Sequence, residues 1–386
     1  MSEYSMAHHI INEKRKEALK SNSIGPVVLI AGWSSSGKTT LCNIFLNYAI
    51  KLGWSPTYVD LDLSNEIFTP GTLAACTIDF PLPNYFFMDN GISLFHGQTN
   101  IDMNENLYEL QVKEMADLVR LKLENDLNNF LNKYNLEKNV TNKSQKFNQL
   151  GLPSNPNSQI NTPNPYNMQT NQVFGNIFEE SYISSETPTL FASGAIVNCP
   201  TFKDNSKDKI YSMIIKAFNC DLVYIIENQR LYHELNRFYQ DPINLQFSGN
   251  SGKVPQICLL TKSRGVVSID SAYKEYLDQK KFDHYFKGPF NNLRLNEFTL
   301  DLNTYKLLQV ISSNLTQAIL PTDMESDLNL ILKEVNSFEE KLINRVLAIP
   351  HLDEKVLNDL DTNFNKKLNF YNEQICRAPV AFLAYV

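Results

Sequence analysis

The residues with the clearest chemical potential form a loop rich in glycine and serine near the start of the chain. The segment Gly32-Trp33-Ser34-Ser35-Ser36-Gly37-Lys38-Thr39 fits the pattern G-x-x-x-x-G-K-[ST]. Such a loop wraps its backbone amides around a phosphate chain, and its lysine contacts the terminal phosphates. The pattern predicts nucleotide binding by Gly32, Ser34, Ser35, Ser36, Gly37, Lys38, Thr39 and Thr40.

A phosphate loop of this kind also predicts a magnesium site. The hydroxyl of Thr39 is expected to hold Mg²⁺, and an acidic residue at the end of a neighbouring strand completes the site. Asp60 and Asp62 are both candidates at the end of the predicted strand 57–62. We favour Asp62, because ligands of open α/β sheets bind beyond the carboxyl ends of the strands. The other carboxylate is then an ordinary solvated side chain.

These residues need a strand before the loop and a helix after it. The apolar run 27–31 is typical of a strand buried on both faces, and helical spacing extends from 37 to about 51. Strands at 92–96, 190–197, 221–226 and 256–260 alternate with helices near 104–134, 206–217, 229–238 and 270–281. This alternation predicts a three-layer α/β domain of the phosphate-loop NTPase type, with a parallel sheet, over residues 25–288.

Three segments interrupt or flank the predicted domain. Residues 1–24 form a polar leader with one helix near 7–20. Residues 139–185 are dense in Asn and Pro with few aliphatic side chains, which predicts a disordered insertion. From 289 to 386 short alternating segments predict a smaller β-rich domain, interrupted by helices near 335–348 and 353–368.

Composition narrows the class of protein. A net charge of −7 over 386 residues argues against a broad cationic surface for duplex nucleic acid. No apolar run approaches the roughly 20 residues that cross a bilayer, so we expect no membrane partner. The six cysteines are scattered without metal-ligand spacing, which predicts reduced thiols in a cytosolic or nuclear protein.

Beyond the loop, the chain resembles the eukaryotic ATP-binding subunit of the pre-mRNA 3′-end cleavage factor, the polyribonucleotide 5′-hydroxyl kinase family. The similar segments, besides the loop, lie at 46–49, 56–59, 70–72, 192–198, 229–235, 265–267 and 285–288. The resemblance implies that ATP and Mg²⁺ are the cofactors and that other cleavage-factor subunits are partners. It also implies a nuclear location and RNA 5′ ends as a further ligand.

The sequence differs from the active members of this family in three elements that take part in catalysis. Their acidic motif is Asp-x-x-Gln, whereas Asp62 is followed three residues later by Asn65. Their clasp tryptophan is replaced here by Thr201 or Phe202 within 198–202, and their lid arginines fall near Ile269 and Lys274. An isoleucine cannot donate a hydrogen bond to a phosphate. Loss of such an arginine lowers the rate of phosphoryl transfer by about 10³-fold or more.

Two functions follow. In the favoured one, the protein is a scaffold subunit of the mRNA 3′-end cleavage machinery that binds ATP·Mg²⁺ and has weak or no kinase activity. In the alternative, it is an RNA 5′-hydroxyl kinase in which Lys38 and Asp62 are catalytic and Lys274 replaces a lid arginine. A GTPase is a distant third, because no guanine-reading Asn-Lys-x-Asp segment is present.

Overall fold

The computed structural model describes most of the chain. The described residues are 2–64, 71–82, 91–149, 190–202, 208–240, 254–288, 290–294, 296–299, 301, 305–310, 332–335 and 342–386. Among these residues, the structure does not describe the side chains of 135–149, 359–370, Ser2, Met103, Asp208, Ser271, Lys274 and Lys333.

The helices begin and end as follows: α1 Ser2–Ser21, α2 Lys38–Lys51, α3 Glu105–Gln149, α4 Leu190–Ser193, α5 Asp208–Ala217, α6 Gln229–Gln240, α7 Ser271–Lys287 and α8 Glu354–Arg377. The strands are β1 Val27–Gly32, β2 Thr57–Asp60, β3 Thr72–Thr77, β4 Ile92–Phe95, β5 Ala195–Asn198, β6 Leu222–Ile226, β7 Gln256–Leu260, β8 Leu308–Val310, β9 Leu332–Glu334, β10 Val346–Pro350 and β11 Val380–Tyr385.

Seven strands form one mixed sheet in the order β4-β3-β2-β5-β1-β6-β7. The five strands from β2 to β7 run parallel, and β3 and β4 continue the sheet in antiparallel pairing. The predicted parallel sheet is therefore confirmed, with an antiparallel extension. The strand β5 lies between β1 and β2, although it follows them by more than a hundred residues.

Helices cover both faces of this sheet. Along β1, alternate side chains point to opposite faces: Val28 and Ile30 pack with α1 and α2, whereas Leu29 and Ala31 pack with α3, α5 and α6. Both sets are fully buried. Because helices cover β1 on both faces, all of its side chains must be apolar, which explains its uninterrupted apolar sequence. The two helical layers confirm the predicted three-layer α/β architecture.

The predicted polar leader is a structural part of the α/β domain. Tyr4, Ala7 and Ile11 of α1 are buried in the core cluster that contains α2. The ring of Tyr224 on β6 also donates from its hydroxyl to the carbonyl of Ala7, at 3.1 Å. The helix begins earlier than predicted, because its apolar positions recur along the face that meets α2.

The insertion and the C-terminal part differ from expectation in detail. Residues 139–149, assigned by sequence to the disordered insertion, continue α3, and the rest of that insertion lies outside the described residues. The predicted second helix of the C-terminal part is confirmed as α8, whereas 346–348 belong to β10 rather than to a helix. The pairs β10-β11 and β8-β9 form two small antiparallel sheets, as the β-rich expectation requires.

Contacts hold the C-terminal part against the α/β domain. Gln111 of α3 donates from Nε2 to the carbonyl of Cys376 at 3.2 Å, and Arg377 lies 3.5 Å from the carboxylate of Glu114. The backbone amide of Leu383 donates to the hydroxyl of Tyr285 on α7. In the described part of the chain, no helix combines the length and apolarity needed to span a bilayer.

Candidate nucleotide-binding site

The structure brings the predicted phosphate-loop residues together in the turn that joins β1 to α2. Gly32 and Gly37 both have positive φ, of 152° and 91°. A Cβ at Gly32 would lie 2.8 Å from the carbonyl oxygen of Ile226, and one at Gly37 would lie 2.9 Å from Val266. Only glycine satisfies both the dihedral and the packing demand here. The remaining predicted members are Ser34, Ser35, Ser36, Lys38, Thr39 and Thr40.

Donor groups converge at the start of α2. Its N-cap is Gly37, which contributes no side-chain cap, so the first-turn amides stay available as donors. The hydroxyl of Ser36 is buried and has no partner among the described residues. A helix N-terminus with these free donors carries partial positive charge and fits a phosphate group.

Lys38 is the buried cation of the loop. Only 6% of its surface is exposed, and Nζ donates to the carbonyls of Gly32 and Trp33 at 3.4 and 3.2 Å and to Thr201 Oγ1 at 2.5 Å. Burial lowers the pKa of the ammonium below its ordinary value, while the carboxylates of Asp62 and Asp60 act in the opposite direction. A positive charge so close to the loop favours a polyphosphate.

Asp60, the last residue of β2, is fully buried. Its carboxylate accepts hydrogen bonds from the Tyr58 hydroxyl at 2.6 Å, the Asp62 amide at 2.9 Å and Asn198 Nδ2 at 3.1 Å. Burial, with repulsion from Asp62, raises the pKa of Asp60 to about 7. Both carboxylate oxygens are thus engaged inside the sheet.

Asp62 lies two residues further along, where the chain leaves the sheet, and it is half-buried. Its Oδ1 accepts from the amide and the hydroxyl of Ser64, at 3.1 and 2.8 Å. The carbonyl of Ser64 in turn accepts from Nζ of the buried Lys281 on α7, at 2.9 Å. The sequence offered no signal for this lysine, because its contact depends on how α7 packs.

Thr39 is half-buried in the first turn of α2. Its hydroxyl accepts from Asn198 Nδ2 at 3.3 Å, and the same amide group bonds Asp60. A threonine hydroxyl in the first turn of α2 and a carboxylate near the carboxyl end of β2 are the oxygen ligands that Mg²⁺ prefers. The residues present therefore fit a magnesium-bound nucleotide.

The loop that follows β7, residues 261–270, lies over the phosphate loop, and we name it the covering loop. Val266 packs on Gly37, and the amide of Ile269 lies 3.5 Å from Ser35 Oγ. The side chain of Ile269 is 46% exposed. At its start, the amide and hydroxyl of Thr261 donate to the carboxylate of Glu3 on α1. No pattern in the sequence indicates that α1 reaches the covering loop.

The segment predicted to replace the clasp follows β5. Thr201 contacts Lys38, whereas Phe202 is buried in the core and packs edge-to-face on Tyr211 at 5.1 Å between centroids. Thr201 is thus the residue of this segment that faces the phosphate loop. Asn65 and the side chain of Lys274, which the sequence analysis singled out, lie outside the described residues.

Asn198 is a further member of the site that the sequence did not reveal. It ends the apolar strand β5 and is fully buried, with its amide between Thr39 and Asp60. The signal was a polar residue at the carboxyl end of an otherwise apolar strand, the same pattern that singled out Asp62. The strand order needed to place it beside the phosphate loop is not visible in the sequence.

The chain is similar to proteins of one known family. The family described as "mRNA cleavage and polyadenylation factor CLP1 P-loop" matches residues 32–130 and 157–288, which is more than half of the chain. "Protein CLP1 homolog" of Culex quinquefasciatus is 26% identical over 367 residues, covering 94% of this chain and 69% of that protein.

Two further relatives are similar over much of the chain. The human protein named "Polyribonucleotide 5'-hydroxyl-kinase Clp1" is 22% identical over 329 residues, covering 84% of this chain and 60% of that protein. A solved Clp1p–Pcf11p complex has a TM-score of 0.63 and 17% identity, covering 99% of this chain and 71% of the matched chain. That structure supports the fold. Because the family match includes the phosphate loop and extends to Gly288, the chain belongs to the CLP1 P-loop family of mRNA cleavage and polyadenylation factors.

Proposed function

We propose that this protein is an ATP-binding scaffold subunit of the mRNA 3′-end cleavage and polyadenylation machinery. The observation that carries the proposal is the buried Lys38 in a phosphate loop whose helix N-terminus has no side-chain cap. Family membership connects this site with mRNA cleavage and polyadenylation. The proposal places the protein in the nucleus.

In this proposal the phosphates of ATP lie against the loop 32–40 and the first turn of α2. Lys38 compensates the charge of the terminal phosphates, and Ser36 supplies a buried hydroxyl. Thr39 and Asp62 hold Mg²⁺, since Asp60 has both oxygens engaged within the sheet. Bound Mg²⁺ would neutralise phosphate charge.

A scaffold needs partner proteins. The solved relative of similar fold is a complex of Clp1p with Pcf11p, and we propose that this chain likewise assembles with other subunits of the cleavage factor. The described surface offers exposed apolar side chains of the kind that protein partners cover, including Phe290 and Phe298, at 84% and 80% exposure.

The weak or absent kinase activity in this proposal rests on two positions. The amide of Ile269 lies beside Ser35, so a side chain at 269 is close to the phosphate loop, yet an isoleucine has no donor for a phosphoryl group. Thr201 engages Lys38 while Phe202 is part of the core, so neither presents an exposed aromatic ring to an RNA terminus.

The alternative is an RNA 5′-hydroxyl kinase. It is favoured by the retention of Lys38, Thr39 and Asp62, and by the name of the human relative. In this case Asp62 helps to position the attacking hydroxyl, Lys38 compensates charge on the transferred phosphoryl group, and Lys274 replaces a lid arginine.

Transfer of label from [γ-³²P]ATP to a 5′-hydroxyl oligoribonucleotide separates the two functions. The scaffold proposal expects binding of ATP with transfer no faster than the Lys38→Ala control. Turnover near 1 s⁻¹, the order typical of slow kinases, would establish the alternative. The double variant Ile269→Arg, Thr201→Trp is expected to raise transfer above background if these two positions account for the inactivity.

A further inference from the structure

A buried amide bridge connects the phosphate loop with the neighbouring carboxylate. Asn198 Nδ2 donates to Thr39 Oγ1 at 3.3 Å and to Asp60 Oδ1 at 3.1 Å. The strand register places Asn198 directly beside Ile30 on one side and Asp60 on the other. Because β5 separates β1 from β2, a residue at the end of β5 is placed to span this gap.

The orientation of the amide follows from its neighbours. Asp60 Oδ2 accepts a hydrogen bond from the Tyr58 hydroxyl, and Oδ1 accepts one from the Asp62 amide. Both oxygens of the carboxylate therefore act as acceptors. The NH₂ group of Asn198 accordingly faces Asp60 and donates to its carboxylate. Asn198 Oδ1 is then left buried and without a partner among the described residues. Buried amide oxygens normally accept a hydrogen bond, and a water molecule bound to a cation could donate it here.

We propose that Asn198 is a positioning residue of the magnesium–nucleotide site, an inference that rests on the proposed ATP binding. Its NH₂ group holds one lone pair of the Thr39 hydroxyl, so the other lone pair is directed toward Mg²⁺. Its Oδ1 accepts a hydrogen bond from a water of the metal. Asp60 contributes indirectly, because it fixes the rotamer of Asn198 from the far side.

This role predicts a selective effect on the magnesium-dependent part of ATP binding. Partners that orient a metal ligand typically contribute 10- to 100-fold to metal affinity. In Asn198→Ala, the factor by which Mg²⁺ improves ATP affinity should fall by about tenfold or more, whereas ATP affinity in EDTA should change by less than about twofold. Titration calorimetry with ATP, in Mg²⁺ and in EDTA, measures both quantities.

A double-mutant cycle tests whether Asn198 acts through Thr39. If it does, Asn198→Ala should cause a smaller loss of Mg²⁺-dependent affinity in the Thr39→Val background than in the wild type, so the two effects are not additive. Asn198→Ser provides a second measurement if the alanine variant does not fold, because a serine is too short to bridge both partners. Full additivity in the cycle would overturn the proposal.

Asn228 supplies a matched control. It is a buried asparagine that follows β6, the strand on the far side of β1 from β5. Its side chain caps α6 by accepting a hydrogen bond from the Leu231 amide at 3.0 Å. Asn228→Ala should lower the unfolding midpoint, because the cap of α6 is lost, but it should leave the Mg²⁺ enhancement of ATP affinity unchanged. The inference about Asn198 is refuted, and the proposed function is not, if Asn198→Ala keeps the Mg²⁺ enhancement of ATP affinity. The same holds if the ATP affinity of the wild type does not depend on Mg²⁺. Absence of ATP binding to the wild type refutes the proposed function itself.

Discussion

Lys38 Nζ and Thr201 Oγ1 are joined by a hydrogen bond of 2.5 Å across 163 positions of the chain. The bond ties the phosphate loop to the segment that follows β5. It also gives the buried ammonium three neutral oxygen partners, together with the carbonyls of Gly32 and Trp33. A bound phosphate must compete with these partners for the charge of Lys38.

Removing the lysine should remove the stabilisation by nucleotide. At an ATP concentration 100 times its dissociation constant, the wild type should gain about 2.7 kcal/mol of stability. Lys38→Ala should gain almost none, because the cation that pairs with the terminal phosphates is gone. Thermal unfolding with and without ATP·Mg²⁺ measures this. Lys51→Ala, at the exposed end of the same helix, is the control and should respond like the wild type.

Removing the acceptor should have two opposite effects. Thr201→Val leaves Lys38 with one partner fewer, which should destabilise the protein without nucleotide by about 1.5 to 3 kcal/mol, as for hydrogen bonds to charged groups. The increase in unfolding midpoint on adding ATP·Mg²⁺ should become larger, since less competition remains. An unaltered ATP-dependent increase would mean that Lys38 keeps its bond to Thr201 in the bound state.

Truncating a core residue of α1 tests whether this helix belongs to the domain. Ile11 is fully buried, so Ile11→Ala should cost about 2 to 5 kcal/mol. Met6, on the same helix, is 67% exposed, and Met6→Ala should stay within about 0.5 kcal/mol of the wild type. Urea unfolding followed by circular dichroism compares them. Equal effects of the two substitutions would restore the view of this segment as a detached leader.

The buried His96 predicts a loss of stability in mild acid. Burial lowers the pKa of His96 to about 4, although a hydrogen bond with Gln111 partly opposes this. Below pH 6.5 the unfolded chain takes up a proton that the folded protein excludes, so stability falls between pH 6.5 and 4, by roughly 3 kcal/mol at the lower end. His96→Asn should show a shallower fall in unfolding midpoint over this range, and a variant of the exposed His233 should follow the wild type. If the unfolding midpoints of all three proteins fell equally with pH, His96 would not be a source of the acid sensitivity.

The Asn- and Pro-rich composition of the predicted insertion 139–185, of which 139–149 continue α3, predicts preferred cleavage by added protease between 150 and 185. The two fragments should stay associated after the cut, because β5 in the second fragment pairs with both β1 and β2 in the first. Limited proteolysis followed by size-exclusion chromatography tests both points. Separation of the fragments without denaturant would argue against the central position of β5.

The sequence predicts a part of the fold well where consecutive residues all point to the same element. The apolar run of β1 and the phosphate loop after it appear where the sequence places them. The strand β3 escaped prediction, because Thr72–Thr77 contains two alanines and lacks the β-branched aliphatic residues that mark a buried strand. Its place is set by antiparallel pairing with β2, which is a tertiary contact.

The candidate site was predictable only within single segments. The loop and Asp62 have spacing that points to phosphate and metal, whereas Asn198 and Thr201 join the site because β5 enters the sheet between two earlier strands. The contact of Lys281 with Ser64 likewise depends on the packing of α7. Such partners are distant in sequence, and no local periodicity encodes them.

The position of β5 also fixes when the site can form during synthesis. The strands β1 and β2 pair with β5 and not with each other, so the sheet stays incomplete until residues 195–198 have left the ribosome. Contacts that close such long loops form slowly. Until then the unpaired backbone edges and the apolar side chains of β1 and β2 are open to aggregation or to binding by chaperones. A nascent chain halted before β5 should therefore contain an intact phosphate-loop sequence and still fail to retain ATP.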